Sequence, residues 1–168
     1  MTGWWGQQLS NRFNMGGEWI GFAGAQSWQV SNPNVIATVS YEAAISVMLD
    51  ASLPKLRAKS TRLTGYLEAL LALICGVVSR EDGKNVEKKA LIQITPRSVD
   101  ARGCQLSILF PFNVGSVNDA LIKVGAVCDV RKPDVLRISP TPLYNTFRDV
   151  FSFVRLLKKT VDEIHPSQ

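Results

Sequence analysis

The chain has 168 residues, of which 46% are apolar and 20% charged, with 12 Gly and 8 Pro. This is ordinary globular composition with length enough for a core, and it excludes a disordered or fibrous protein. Nineteen basic against fourteen acidic side chains give a net charge of +5, which suits an anionic ligand but falls short of a nucleic-acid-binding composition.

The first forty residues are rich in Gly, Trp, Asn and Gln and hold no lasting apolar period, so they read as loops that lie against something larger than themselves. From Tyr41 to Leu49, the residues Ala44, Ile45, Met48 and Leu49 share one stripe and predict a short helix. A long amphipathic helix follows over Pro54 to Val78. Ser52 is its expected N-cap, Pro54 lies in its first turn, and Leu56, Leu63, Leu67, Leu70, Ile74 and Val77 line one face. Gly65 inside it marks an expected close approach of a neighbour. Arg80 to Lys89 mixes charges around Gly83 and reads as a solvated loop.

Beyond this point the period becomes two. Ala90, Ile92 and Ile94 alternate with Leu91 and Gln93, and Cys104, Leu106, Ile108 and Phe110 with Gln105 and Ser107, which predicts two strands around the Thr95-Pro96 turn. Ser116 is the expected N-cap of a short helix closed by Gly125. Val127 to Val130 and Val135 to Ile138 are two more predicted strands around Lys132-Pro133. Asn145 is the expected cap of a last helix carrying Phe147, Val150, Phe151, Val154, Leu157, Val161 and Ile164 on one stripe. The order predicts an α+β fold: a short antiparallel or mixed sheet with helices on one face, preceded by a loop-rich segment and a long helix.

The longest mostly apolar stretch, Tyr66 to Val78, is interrupted by Glu68 and is shorter than the roughly 18 residues of a membrane span. Met1 to Ser10 carries no Lys or Arg, unlike a secretory signal, and the chain reads as cytoplasmic. Cys75, Cys104 and Cys128 stand 29 and 24 residues apart. That spacing draws neither a disulfide framework nor a metal knuckle, and reduced, mostly buried thiols are expected.

The common catalytic constellations are mostly absent. The single histidine, His165, sits near the C-terminus and reads as a solvent-exposed bystander, and no metal site is expected. Gly16-Gly17 and the Gly21 to Gly24 stretch lack the flanking strand and helix of a phosphate loop. Lys55, Lys59 and Arg62 share a helix face, as do Arg148, Arg155 and Lys159 more loosely. With no aromatic residues between them they read as solvated faces; a basic nucleic-acid-binding domain is the weaker alternative. Arg137 differs. Leu136 and Ile138 face the core of their strand, so Arg137 points the other way, just before Pro140-Thr141-Pro142. A side chain held there suits bidentate capture of a carboxylate, and an ordinary surface arginine is the competing reading.

Several blocks of the chain match a known family. They are Gly3-Trp4-Trp5-Gly6, Ser10, Arg12-Phe13, Met15, Val30-Ser31-Asn32-Pro33, Leu63-Thr64-Gly65-Tyr66-Leu67-Glu68, Ile94-Thr95-Pro96, Arg102-Gly103-Cys104-Gln105-Leu106, Val127-Cys128-Asp129-Val130-Arg131, Leu136-Arg137-Ile138, Pro140, Pro142-Leu143-Tyr144-Asn145 and Phe147. In this order, from Gly3 to about Ile164, the chain resembles the C-terminal portion of the kynureninases. Gln7 stands where that family commonly has His, and Gly16 to Gln26 is irregular against its pattern.

The resemblance implies the small C-terminal lobe (residues 41–168) of a fold-type I, pyridoxal 5′-phosphate-dependent, homodimeric enzyme, with residues 1–40 as a loop-rich remnant of its large cofactor-binding domain. Such enzymes hydrolyse L-kynurenine or 3-hydroxy-L-kynurenine to anthranilate or 3-hydroxyanthranilate plus L-alanine, in tryptophan catabolism and NAD biosynthesis. By resemblance, Trp4 and Asn32 contact the cofactor phosphate across the dimer. Asn32 also reaches the aromatic end of the substrate, Trp5 lines its ring pocket, and Arg137 binds the α-carboxylate. No catalytic residue is assigned to the chain, because the family's Schiff-base lysine follows a tyrosine upstream of the Gly-Trp block and none of the nine lysines here follows a tyrosine. The expectation is a partial kynureninase, about the C-terminal two-fifths of its parent and inactive alone. The alternative is a non-catalytic module that pairs with a full-length subunit.

Overall fold

A computed structural model describes residues 3–82 and 90–166, in two compact units, Met1–Asp50 and Ala51–Gln168. In the first unit the loop-rich reading holds as far as residue 34. Two short 3₁₀ turns, Trp4–Gly6 and Gly24–Trp28, and an isolated bridge between Gln7 and Gly21 are its regular features.

Helix α1 then runs over Val35–Ala51, beginning six residues before the expected Tyr41. Asn34 caps it, its Oδ1 accepting from the Ala37 N–H at 3.1 Å; an Asn just before a helix is a strong start signal. The expected stripe is not there. Apolar residues lie all round the helix, and residues 35–50 are all exposed.

In the second unit α2 spans Leu53–Cys75. Ser52 does not cap it with its side chain. Its backbone has φ 64, and its carbonyl accepts from Leu56 instead. The helix stops three residues short of Val78 because Gly76 turns left-handed, with φ 67, a conformation Gly adopts at little cost. Val78, the last residue of the expected helix, instead joins Ser79 to form strand β1, Val78–Ser79. Gly65 marks no close approach, since a Cβ there would meet nothing within 4 Å.

Strands β2 (Ile92–Gln93), β3 (Leu106–Leu109), β4 (Asp129–Arg131) and β5 (Val135–Ile138) complete a sheet of order β1-β2-β3-β5-β4. β1 pairs parallel with β2, and the other pairs are antiparallel. β5 has the expected bounds, whereas β4 starts at Asp129 rather than at Val127, which is 81% exposed. Around β2 the buried phase is Leu91 and Gln93, not the Ile92 set. The Gln93 amide tolerates burial because its Nε2 donates to Glu68 Oε1 at 3.2 Å and to the Thr95 carbonyl at 3.1 Å.

Helix α3 covers Gly115–Lys123, so Ser116 lies inside it. Asn113 accepts from the Gly115 N–H at 2.9 Å, and Gly125, with φ 84, follows the helix. Helix α4, Phe147–Ile164, is capped by Thr146 in a capping box with Asp149; Asn145 instead accepts from the Thr141 N–H at 2.7 Å. His165 is half-buried rather than free in solvent. Its ring stacks on Phe112 with centroids 3.7 Å apart. Of the expected loop Arg80 to Lys89, residues 80–82 form a 3₁₀ turn and 83–89 lie outside the described residues.

The core joins Leu63, Leu67, Leu70 and Leu71 of α2, Val117 and Leu121 of α3, and Val150, Val154, Leu157 and Val161 of α4 to Leu106, Ile108, Leu136 and Ile138 of the sheet. This is the expected α+β layer. Strand alternation leaves the opposite sheet face to Ser107, Arg137 and Asp129, which stand in register across β3, β5 and β4. Among the described residues no single helix is long and apolar enough to cross a membrane.

Candidate functional site

Arg137 projects from the middle of β5 on the face away from the helices, as the alternation of buried Leu136 and Ile138 requires. Its side chain is 29% exposed, and its Nη1 lies 2.9 Å from Asp129 Oδ2. Nη2 donates to Gln105 Oε1 at 2.7 Å. Nε is buried and has no partner among the described residues, so the guanidinium keeps donor capacity in hand. Arg131 shares the same Asp129 oxygen at 3.0 Å. Two guanidinium groups on one carboxylate leave a net positive charge of one, the sign an anionic ligand needs.

Gln105 belongs to a segment pinned to α2. Arg102, with a side chain only 4% exposed, places Nη2 2.6 Å from Glu68 Oε2 and donates through Nη1 to the Pro96 carbonyl at 3.1 Å. Arg97 Nε pairs with Glu68 Oε1 at 3.1 Å, and Thr64 Oγ1 donates to the Cys104 carbonyl at 3.4 Å. The Leu63-to-Glu68 and Arg102-to-Leu106 blocks are therefore two halves of one contact. Sequence reasoning assigned no role to Glu68, Arg102, Gln105 or Asp129. The available signal was a carboxylate set among the apolar positions of α2, which needs a partner when it is half-buried.

The first unit carries the other expected residues. Trp4 is 57% exposed, and its ring meets Trp5 edge-on with centroids 5.5 Å apart. The flanking glycines make this turn feasible: a Cβ on Gly3 would fall 2.1 Å from the Gln29 carbonyl oxygen, and one on Gly6 1.9 Å from that of Ser27. The Arg12 guanidinium lies 4.2 Å from the Trp5 ring centroid and donates to the Trp5 carbonyl at 3.1 Å. That cation–π contact covers one face of the half-buried indole. Asn32 is exposed in the loop before α1. The structure thus brings Trp4 and Trp5 together in one unit and gives Arg137 its own polar cluster in the other.

A cavity of about 360 Å³ opens among Val124–Cys128, Pro140, Asn145, Phe153 and Leu156. Burial pushes the Cys128 thiol up to about 11, and Cys75, also raised chiefly by burial, to about 11. Both are thiols at neutral pH and poor nucleophiles. Among the described residues no group of three His, Cys, Asp or Glu side chains is placed to hold a metal ion.

Residues 56–157 match the family described as "Kynureninase C-terminal domain". The chain is 42% identical over 162 residues to a kynureninase of Monosiga brevicollis, covering 96% of this chain and 34% of that protein. It is 41% identical over 164 residues to the kynureninase of Mus musculus, covering 96% and 34%. It is 38% identical over 162 residues to that of Homo sapiens, again covering 96% and 34%. The chain spans about a third of the length of these curated relatives, somewhat less than the two-fifths expected.

Proposed function

The chain belongs to the kynureninase family, and from that premise we propose that it serves as the C-terminal part of an enzyme hydrolysing L-kynurenine or 3-hydroxy-L-kynurenine to anthranilate or 3-hydroxyanthranilate and L-alanine. Residues 1–40 belong, in this proposal, with a large cofactor-binding domain, and residues 41–168 form the small lobe of a cytoplasmic homodimer. When bound, pyridoxal 5′-phosphate would supply an electron sink for the negative charge that develops on the carbon bearing the α-carboxylate.

The residues assigned here fit two anionic groups. Arg137 holds the substrate α-carboxylate through the guanidinium edge left positive by its cluster. The Trp4 indole N–H and the Asn32 carboxamide are neutral donors suited to a phosphate. Trp5 offers the ring face not taken by Arg12 to the substrate's aromatic end, which Asn32 also reaches. No lysine of the chain is assigned to the cofactor, and the proposal has the chain inactive by itself.

The observation that carries this reading is Arg137: a rigid strand arginine with a buried, unpartnered Nε in a cluster of net positive charge. The test is a chimera in which these residues replace the corresponding third of the mouse kynureninase. The expected result is anthranilate formation from L-kynurenine by the chimera and none by the 168-residue chain alone. A folded, cofactor-loaded, dimeric chimera without turnover contradicts the proposal, and turnover by the chain alone contradicts the inactivity assigned to it.

One observation favours a second reading, a non-catalytic module that pairs with a full-length subunit. Helix α1 is apolar on every side and exposed along residues 35–50, and large exposed apolar surfaces mark interaction sites. A stable mixed dimer with intact mouse kynureninase, together with an inactive chimera, supports that reading over the first.

A further inference from the structure

Resting on the assignment of Arg137 to the substrate carboxylate, we propose that Gln105 is its positioning residue, a neutral acceptor that fixes the guanidinium plane while leaving its charge for the ligand. An arginine reaches its ligand through a long flexible stem, so two-point capture of a carboxylate requires that something else fix the plane of the fork. Here Gln105 Oε1 accepts from Arg137 Nη2 at 2.7 Å.

Gln105 is itself held. Its Nε2 donates to Ser107 Oγ at 3.4 Å, and Ser139 Oγ donates to its Oε1 at 3.5 Å. Ser107 is the cross-strand neighbour of Arg137, so amide and guanidinium share one sheet face. The backbone before Gln105 is anchored to α2 through the Arg102–Glu68 pair and the Thr64 bond to Cys104. The helix thereby orients an arginine on a strand that it does not need to touch.

The choice of an amide rather than an acid follows from charge. Asp129 already neutralises one of the two positive charges of Arg131 and Arg137. A carboxylate at position 105 would hold Arg137 at least as firmly, but it would discharge the remaining positive charge and repel an incoming carboxylate. Position and charge therefore separate: Gln105→Glu keeps the first and loses the second, and Gln105→Met, of similar shape, loses the first and keeps the second.

Two measurements test this. In the intact 168-residue chain labelled with ¹⁵N-arginine, the Arg137 side-chain resonances are expected to be sharp and slowly exchanging in the wild type and in Gln105→Glu, and broadened in Gln105→Met. Wild-type spectra in Gln105→Met overturn the positioning role, whatever the behaviour of any chimera. In the chimera with the mouse enzyme, both substitutions are expected to raise KM for L-kynurenine about tenfold with kcat changed by less than about twofold. If Arg137→Lys raises KM but neither Gln105 variant does, the inference about Gln105 fails alone. If Arg137→Lys also leaves KM unchanged, the assignment of Arg137 fails first.

Discussion

Residues Ala51–Gln168 and residues Met1–Asp50 distribute their apolar side chains in opposite ways. In the larger unit Leu63, Leu67, Leu106, Ile108, Leu121, Leu136 and Val154 are completely buried, and three helices and a sheet share one core. Among the described residues of the smaller unit only Gly3 and Gly6 are buried, while Trp4, Phe13, Met15, Trp28, Ile36 and Leu49 are exposed. A core excludes water from its own side chains and stabilises the fold that makes it. A surface rich in Trp, Met and aliphatic residues gains that stabilisation only when something else covers it. On the function proposed above, the larger unit supplies a self-supporting platform for Arg137, and the smaller one supplies surface that the rest of an enzyme and its dimer partner cover.

This contrast predicts unequal responses to substitution. Leu106→Ala removes a fully buried side chain at the centre of the sheet and should cost about 2–5 kcal/mol in urea unfolding; a loss below about 1 kcal/mol breaks the claim of a tightly packed platform. A smaller effect is expected at the start of α4. There the Asp149 carboxylate is held below its ordinary value, chiefly by the Thr146 backbone N–H and then by the Thr146 side chain. A lowered folded value means that the bond stabilises the protein above the ordinary carboxylate value and that this contribution is lost as pH falls through the folded value. The gap in melting midpoint between wild type and Asp149→Asn should therefore be present at about pH 6 and close on acidification; a gap independent of pH contradicts it. The smallest effect belongs to α1. Leu49→Lys should change stability by less than about 0.5 kcal/mol, and a loss as large as that of Leu106→Ala would erase the distinction between the units.

The sequence was legible where a period ran long enough to fix a face. β5 has its expected bounds because Leu136 and Ile138 alternate strictly with Val135 and Arg137, and the same alternation placed Arg137 opposite the core. The stripe of α4 was readable, but its cap was not. Asn145 and Thr146 are both good capping residues, and only Thr146 has an acid three positions on. β1 is two residues long and shows no period at all. α1 was read too short because apolar residues on every side give no stripe to count.

At the site, single residues were readable and their partnerships were not. Arg137 stood out by its place on a strand, yet its contact with Gln105 spans 32 positions, and that of Arg102 with Glu68 spans 34. Such pairs are set by sheet register and helix packing, which no local pattern encodes. Gln93 shows the same limit from the other side: a polar residue took the buried phase because Glu68 reached it from α2.

The central claim is that the guanidinium at position 137 grips the substrate's α-carboxylate. The most direct measurement compares kcat/KM for L-kynurenine with that for its α-carboxamide analogue, in the mouse-enzyme chimera with Arg137 and with Arg137→Lys. The account predicts that the substitution lowers the value for L-kynurenine by about ten- to a hundred-fold and leaves the value for the amide nearly unchanged, as expected when a charge-assisted, two-point bond is lost. Equal losses on both substrates, or no loss on either, would contradict it.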